Sequence, residues 1–170
     1  MIILGIDPGS RYTGFGLIDN QPGKMKHLHS GFIKVKGETM PDRLGFIFQQ
    51  VGLIIEQFKP QQMGIENVFM HRNADSALKL GQARSAAICA AWQAGLTIAE
   101  YAPKEIKQTV VGKGAASKEQ VQHMVKYLLS IPQKLQNDEA DGLAIAICHA
   151  QYSLMAQKTG LEIKALKRRR

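Results

Sequence analysis

The chain is short of several things that would each have pointed somewhere. It has two cysteines in 170 residues. Cys89 and Cys148 both sit in Ala/Ile-rich helical patterns (SAAICAAW, LAIAICHA). They read as small buried hydrophobes in a reducing compartment, not as a disulfide or a metal pair. No apolar run approaches the roughly eighteen residues of a membrane span. No basic leader with a small-residue cleavage site precedes the first apolar stretch, so a cytoplasmic protein is expected. Gly14-Phe15-Gly16 lies inside a strand pattern where a dinucleotide fingerprint would open a helix, and Gly112-Lys113-Gly114 lacks Walker spacing. Internal repeats, low-complexity segments and linkers are missing too. Acidic residues are scarce: 14 Asp and Glu against 22 Lys and Arg, a formal charge of +8. The last thirteen residues, KTGLEIKALKRRR, carry six of those basic residues against one Glu, which leaves only +3 on the body. Such a balance suits a polyanionic partner without requiring one. We expect one domain over residues 1–157 and a basic, disordered tail over 158–170.

What is present begins at the N-terminus. Ile2, Ile3, Leu4 and Ile6 form a short apolar run, as expected of a strand covered on both faces. Asp7 stops it, followed by the turn signal Pro8-Gly9-Ser10. A carboxylate at the end of a buried strand is costly unless a cation compensates it or it holds its proton. The alternation from Thr13 to Ile18 predicts a second strand returning beside the first, and residues 25–36 a third that completes an antiparallel meander.

Thr39 caps a helix with Pro41 and Asp42 in its first turn. Leu44, Ile47, Phe48, Val51, Ile54, Ile55 and Phe58 follow at helical spacing, and Lys59-Pro60 ends it. Residues 62–66 (QMGIE) form a fourth strand. Strand–helix–strand connection implies parallel pairing with the first, so Asp7 and Glu66 reach the same sheet edge. A small-residue helix spans 74–95, a fifth strand 97–101, and a short helix runs from Pro103 to Val111. Ser117 and Gln120 make a capping-box pattern for the next helix, which Pro132 ends. Asn137-Asp138 opens the last helix. Trp92, Met63 and Phe48 are expected in the core, His71 is expected at the surface within reach of an anionic partner, and His123 and His149 receive no role.

Asp138 and Asp141 are three residues apart, about 60° apart on one helix face. Acidic residues at a helix start often do no more than complement the dipole. Beside Asp7 and Glu66, however, four carboxylates repel one another unless a cation neutralises them. Oxygen donors without a His/Cys pattern favour Mg²⁺ or Mn²⁺ over zinc, and a pair of such ions about 4 Å apart would serve in-line phosphoryl displacement.

The blocks GIDPGSRYTGFG, IENVFMHRNADSALKLGQARSAA, YAPKEIKQTVVGKGAASKEQVQHMV and NDEADGLAIAICH, in that order, resemble the RuvC family of bacterial Holliday-junction resolvases, within the RNase H-like superfamily. The likeness runs from residue 2 to about 150. It implies an α/β fold: a five-stranded mixed sheet, antiparallel meander plus parallel strands, with helices on both faces. It also implies an endonuclease that cuts four-way DNA junctions by paired nicks in recombination and repair. The carboxylates Asp7, Glu66, Asp138 and Asp141 would be catalytic ligands for two Mg²⁺, with Mn²⁺ able to substitute. Lys107 and Lys118 would lie near the scissile phosphate. Phe69 would stack on bases, with Arg72, Asn73 and Lys113 as further DNA contacts. Partners implied are junction DNA, a second copy in a homodimer and a branch-migration motor; the 74–95 helix is the candidate interface, with Ala87→Arg as its test. A non-catalytic junction-binding protein, or a nuclease for RNA–DNA hybrids or flaps, stays open. The opening GIDPGS also resembles sugar-kinase and actin-like ATPases, whose duplicated domain this chain is too short to hold.

Overall fold

The computed structural model describes residues 1–68 and 73–163. The antiparallel meander consists of β1 (Ile2–Asp7), β2 (Tyr12–Gln21) and β3 (Lys24–Lys34). Then come α1 (Met40–Phe58), β4 (Gln62–Glu66), α2 (Ala74–Gln93) and β5 (Thr97–Tyr101). After these come α3 (Pro103–Val111), α4 (Lys118–Leu129) and α5 (Asn137–Thr159). The sheet order is β3-β2-β1-β4-β5, with β4 parallel to both β1 and β5. This is the expected mixed sheet, because the α1 and α2 crossovers permit parallel return.

Two cores lie on opposite faces. One joins α1 and α2 to the sheet through Leu4, Ile6, Ile47, Val51, Met63 and the alanines of α2. The other seats α3, α4 and α5 on the reverse face, with Leu143, Ile147 and Tyr101 fully enclosed. Helix ends follow local chemistry. Thr39 Oγ1 accepts from the Asp42 N–H while the Asp42 carboxylate accepts from the Thr39 N–H, and Ser117 and Gln120 repeat the device at α4.

Three core expectations need correcting. Helix α2 turns Ala83, Ala87, Ala90 and Ala91 inward. Cys89 and Trp92 fall on its outer side, where Cys89 is exposed and Trp92 is 76% exposed. Phe48 stands partly exposed in the groove between α1 and α2. Ala87 is wholly buried, so Ala87→Arg would break the core before it tested an interface. At the other end α5 runs two residues past 157, Gly160 closes it in the left-handed region, and Ile163 packs on the α5-side core. The tail from 164 onward lies outside the described residues.

Candidate active site

Strand pairing alone brings the first two carboxylates together. Ile6 is in register with Ile65 on the adjacent parallel strand, so Asp7 and Glu66 leave the sheet side by side. The third and fourth arrive on α5, and glycine decides how closely. A Cβ on Gly14 would lie 2.0 Å from the Asp138 carbonyl oxygen, one on Gly5 2.1 Å from that of Gly142, and one on Gly16 2.6 Å from the Leu143 nitrogen. The helix backbone therefore rests on the strand backbone with no side chain between. That seam sets the first turns of α5 over the ends of β1 and β4.

Asp7, Glu66 and Asp141 line one cleft of about 240 Å³ together with Lys107 of α3 and Lys118 of α4. Asp138 stands at its margin, half-buried, close enough to raise the proton affinity of Asp7 and Asp141. Among the described residues, a larger groove of about 750 Å³ between α1 and α2 has no carboxylate in its lining.

Burial, then the charges of Glu66, Asp141 and Asp138, pushes Asp7 up to about 8. Burial and Asp141 push Glu66 up to about 7, with Lys118 and Lys107 opposing. Burial likewise raises Asp141, against the Lys118 ammonium 3.5 Å from its Oδ2. Among the described residues, Lys107 and Lys118 are the cations that line the cleft, and they do not compensate its acids. Among the described residues, no three acidic, histidine or cysteine side chains converge tightly enough to make a preassembled metal centre. The donor chemistry nonetheless fits a hard divalent cation: oxygen ligands, no imidazole or thiolate in the cleft among the described residues, and carboxylates that hold protons for want of positive charge.

Sequence reading missed the residues that hold this arrangement. Arg84 of α2 donates from Nε to the Glu66 carbonyl at 3.0 Å and from a terminal nitrogen to Asn67 Oδ1 at 3.1 Å, and it also pairs with Glu100. It therefore fixes the end of β4 and the start of the loop beyond. Glu139, next to Asp138, accepts from Ser30 Oγ at 2.7 Å, and His27 Nε2 meets the same hydroxyl at 2.7 Å. This ties the first turn of α5 to β3. Gln108 braces the Gly112–Gly114 turn from both sides, donating to the Gly112 carbonyl and accepting from the Gly114 N–H. Far from being idle, His149 is completely buried, bonded to Tyr101 Oη and Gln62 Oε1, both at 2.7 Å. Arg84, Gln108, Glu139 and His149 lie within the sequence blocks quoted above, but a long-range pair such as Ser30 and Glu139 leaves no local signal of what it does.

The other expected contacts separate. Asn73 caps α2, its Oδ1 accepting from the Ser76 N–H at 3.2 Å, and Lys113 is exposed in the α3–α4 turn. Phe69, His71 and Arg72 lie outside the described residues.

Comparison with known proteins agrees with this geometry. The family described as "Crossover junction endodeoxyribonuclease RuvC" matches residues 3–149. A crossover junction endodeoxyribonuclease RuvC of Tolumonas auensis is 59% identical over 149 residues, 88% of this chain and 86% of that one. The Thermus thermophilus RuvC structure superposes with a TM-score of 0.84 at 34% identity, covering 92% of this chain and 97% of that one. T. thermophilus RuvC in complex with its Holliday junction substrate gives 0.82 at 32% identity, covering 91% and 96%. The yeast mitochondrial resolvase Ydc2, at 12% identity and a TM-score of 0.68, shares the fold. A sheet edge that gathers carboxylates from two strands and one helix, and a match along nearly the whole chain, place this protein in the RuvC family of crossover junction endodeoxyribonucleases.

Proposed function

We propose that this chain resolves four-way DNA junctions by cutting two strands symmetrically. The observation that carries the reading is the single cleft in which Asp7, Glu66 and Asp141 from three separate elements meet Lys107 and Lys118. Asp7, Glu66, Asp138 and Asp141 would hold two Mg²⁺, for which Mn²⁺ substitutes. When bound, these ions supply neutralising charge at the scissile phosphate and make an attacking water more acidic. The chain's own part is to hold the carboxylates through the glycine seam and to keep two ammonium groups facing the phosphate as charge develops. Water adds to phosphorus and the bond to the 3′ oxygen breaks, leaving a 5′-phosphate and a 3′-hydroxyl that a ligase can rejoin.

Paired cuts need two sites related by two-fold symmetry, which a C₂ homodimer provides. The outer stripe of α2 is our candidate contact, since it carries Leu78 at 68% and Trp92 at 76% exposure. Phe69 and Arg72 would meet bases and phosphates beyond Glu66, with Asn73 and Lys113 at the flanks. A branch-migration motor would be its partner in the cytoplasm; among the described residues no helix is long and apolar enough to cross a membrane. The test is a labelled synthetic junction with Mg²⁺ or chelator, alongside Asp7→Asn. Symmetric, ligatable nicks that need both metal and Asp7 are expected. Binding without nicks by the intact chain, across several crossover sequences, would leave a junction-binding module in its place.

A further inference from the structure

Gly14 pairs with Asp7 on one side and with Phe32 on the other. Directly paired residues point to the same sheet face. That face is the one beneath α5, because a Cβ on Gly14 would strike the Asp138 carbonyl. Tyr12, two residues back along β2, shares the face and pairs with Lys34. Glu139 reaches Ser30, further along β3, so the first turn of α5 covers the sheet there, and among the described residues the Tyr12–Phe32 end is left exposed.

Tyr12 and Phe32 are 44% and 38% exposed, their rings edge to face with centroids 5.7 Å apart. Lys34 beside them is exposed as well, as is Lys36 just past the strand. Two strand spacings separate Phe32 from Asp7, about 10 Å, or roughly three base steps of duplex DNA. The acidic cluster thus has Lys107 and Lys118 on the α3–α4 side and an uncovered aromatic pair with a lysine on the β2–β3 side.

We propose that Tyr12, Phe32 and Lys34 form a second DNA subsite, on which an unpaired base a few nucleotides from the cut stacks while Lys34 meets the neighbouring phosphate. The inference rests on the junction-nuclease reading and adds a contact which that reading lacks. Charge selects the occupant: an aromatic face flanked by lysines beside a phosphodiester-cutting site suits single-stranded nucleic acid. An apolar peptide would gain nothing from Lys34.

The probe is a four-way junction with 2-aminopurine at each of the first four positions flanking the crossover in turn. It is bound in Mg²⁺ by the non-cutting Asp7→Asn chain. Tyr12→Leu with Phe32→Leu keeps apolar bulk on the strand and removes both rings. Binding is expected to weaken about 5-fold or more, with loss of the fluorescence change at one of those positions. Tyr12→Phe should retain both, and Lys34→Gln should lower the slope of log affinity against log salt by about 1. Each single Leu variant should shift in the same direction, so the result does not hang on the folding of the pair. Affinity within two-fold, and unchanged fluorescence, for the Leu variants of a chain that does nick junctions would overturn this subsite alone. Failure of the unaltered chain to nick any junction would overturn the nuclease reading and the subsite with it.

Discussion

Replacing Asp7 by Asn should stabilise the metal-free protein, and increasingly so as pH rises. Asp7 keeps its proton to about pH 8 in the folded chain, against an ordinary value of 3.8. The folded state then binds a proton that the unfolded chain has lost. The corresponding stability is complete below about pH 4 and is lost as pH climbs through about 8. Between pH 5 and pH 8 the ionisation spans three pH units, worth about 4 kcal/mol if fully realised. Water at the mouth of the cleft relaxes part of this, and about 2 kcal/mol is a fair expectation. For a domain of this size that is a Tm difference of about 4–8 °C. Asn carries no charge at any pH, so the substitution removes both the buried charge of Asp7 and its repulsion with Glu66, Asp141 and Asp138. Scanning calorimetry in chelator at pH 5, 6.5 and 8.5 is the assay. The variant's advantage should be smallest at pH 5 and largest at pH 8.5, and added Mg²⁺ should raise the Tm of the wild type far more than that of the variant. An advantage that stays flat with pH, or a variant less stable at pH 8.5, would refute the view that Asp7 is a strained, cation-seeking carboxylate.

Arg84→Ala should release the Glu66 carbonyl and Asn67, lowering junction cleavage at least 10-fold with a stability loss of about 1–3 kcal/mol. Arg84→Lys should recover charge without the fork and restore little of the rate; single-turnover cleavage and urea unfolding check this, and a wild-type rate in Arg84→Ala would end the argument. Leu78→Glu with Trp92→Glu should give monomers in sedimentation while leaving the far-ultraviolet dichroism unchanged, because both side chains are already exposed; a persistent dimer would move the interface off α2.

The fold was legible where periodicity and end signals agree. Thr39 with Asp42, and Ser117 with Gln120, announce two helices because a cap is a contact between residues three apart. The places of β1 to β4 followed from connection length, since only the long crossover can return parallel, while the sequence left the place of β5 open. Orientation of α2 did not follow. Its sequence is small and weakly polarised all round, so the buried side is chosen by which alanines can approach α1 most closely. Cys89 and Trp92 were therefore assigned to the wrong side. The mirror case is α5, which is enclosed on almost every side and so gives little amphipathic signal of its own.

At the site, the residues that do chemistry were more legible than those that hold them. Asp7 and Glu66 each end an apolar run, an abrupt event in sequence. Arg84, Ser30 and Glu139 act across 18 and 109 residues of chain and announce nothing locally. The glycines lie between the two classes. Gly5, Gly14 and Gly16 read as ordinary strand residues, and their use shows only when α5 is laid on them. With a methyl group at Gly14, the Asp138 carbonyl would have to retreat by more than an ångström, carrying the whole first turn of α5 away from β1. A carboxylate site assembled from two strands and a helix is thus only as accurate as the closest approach of their backbones. In this chain the missing Cβ atoms of Gly5, Gly14 and Gly16 on the strands and of Gly142 on α5 set that approach.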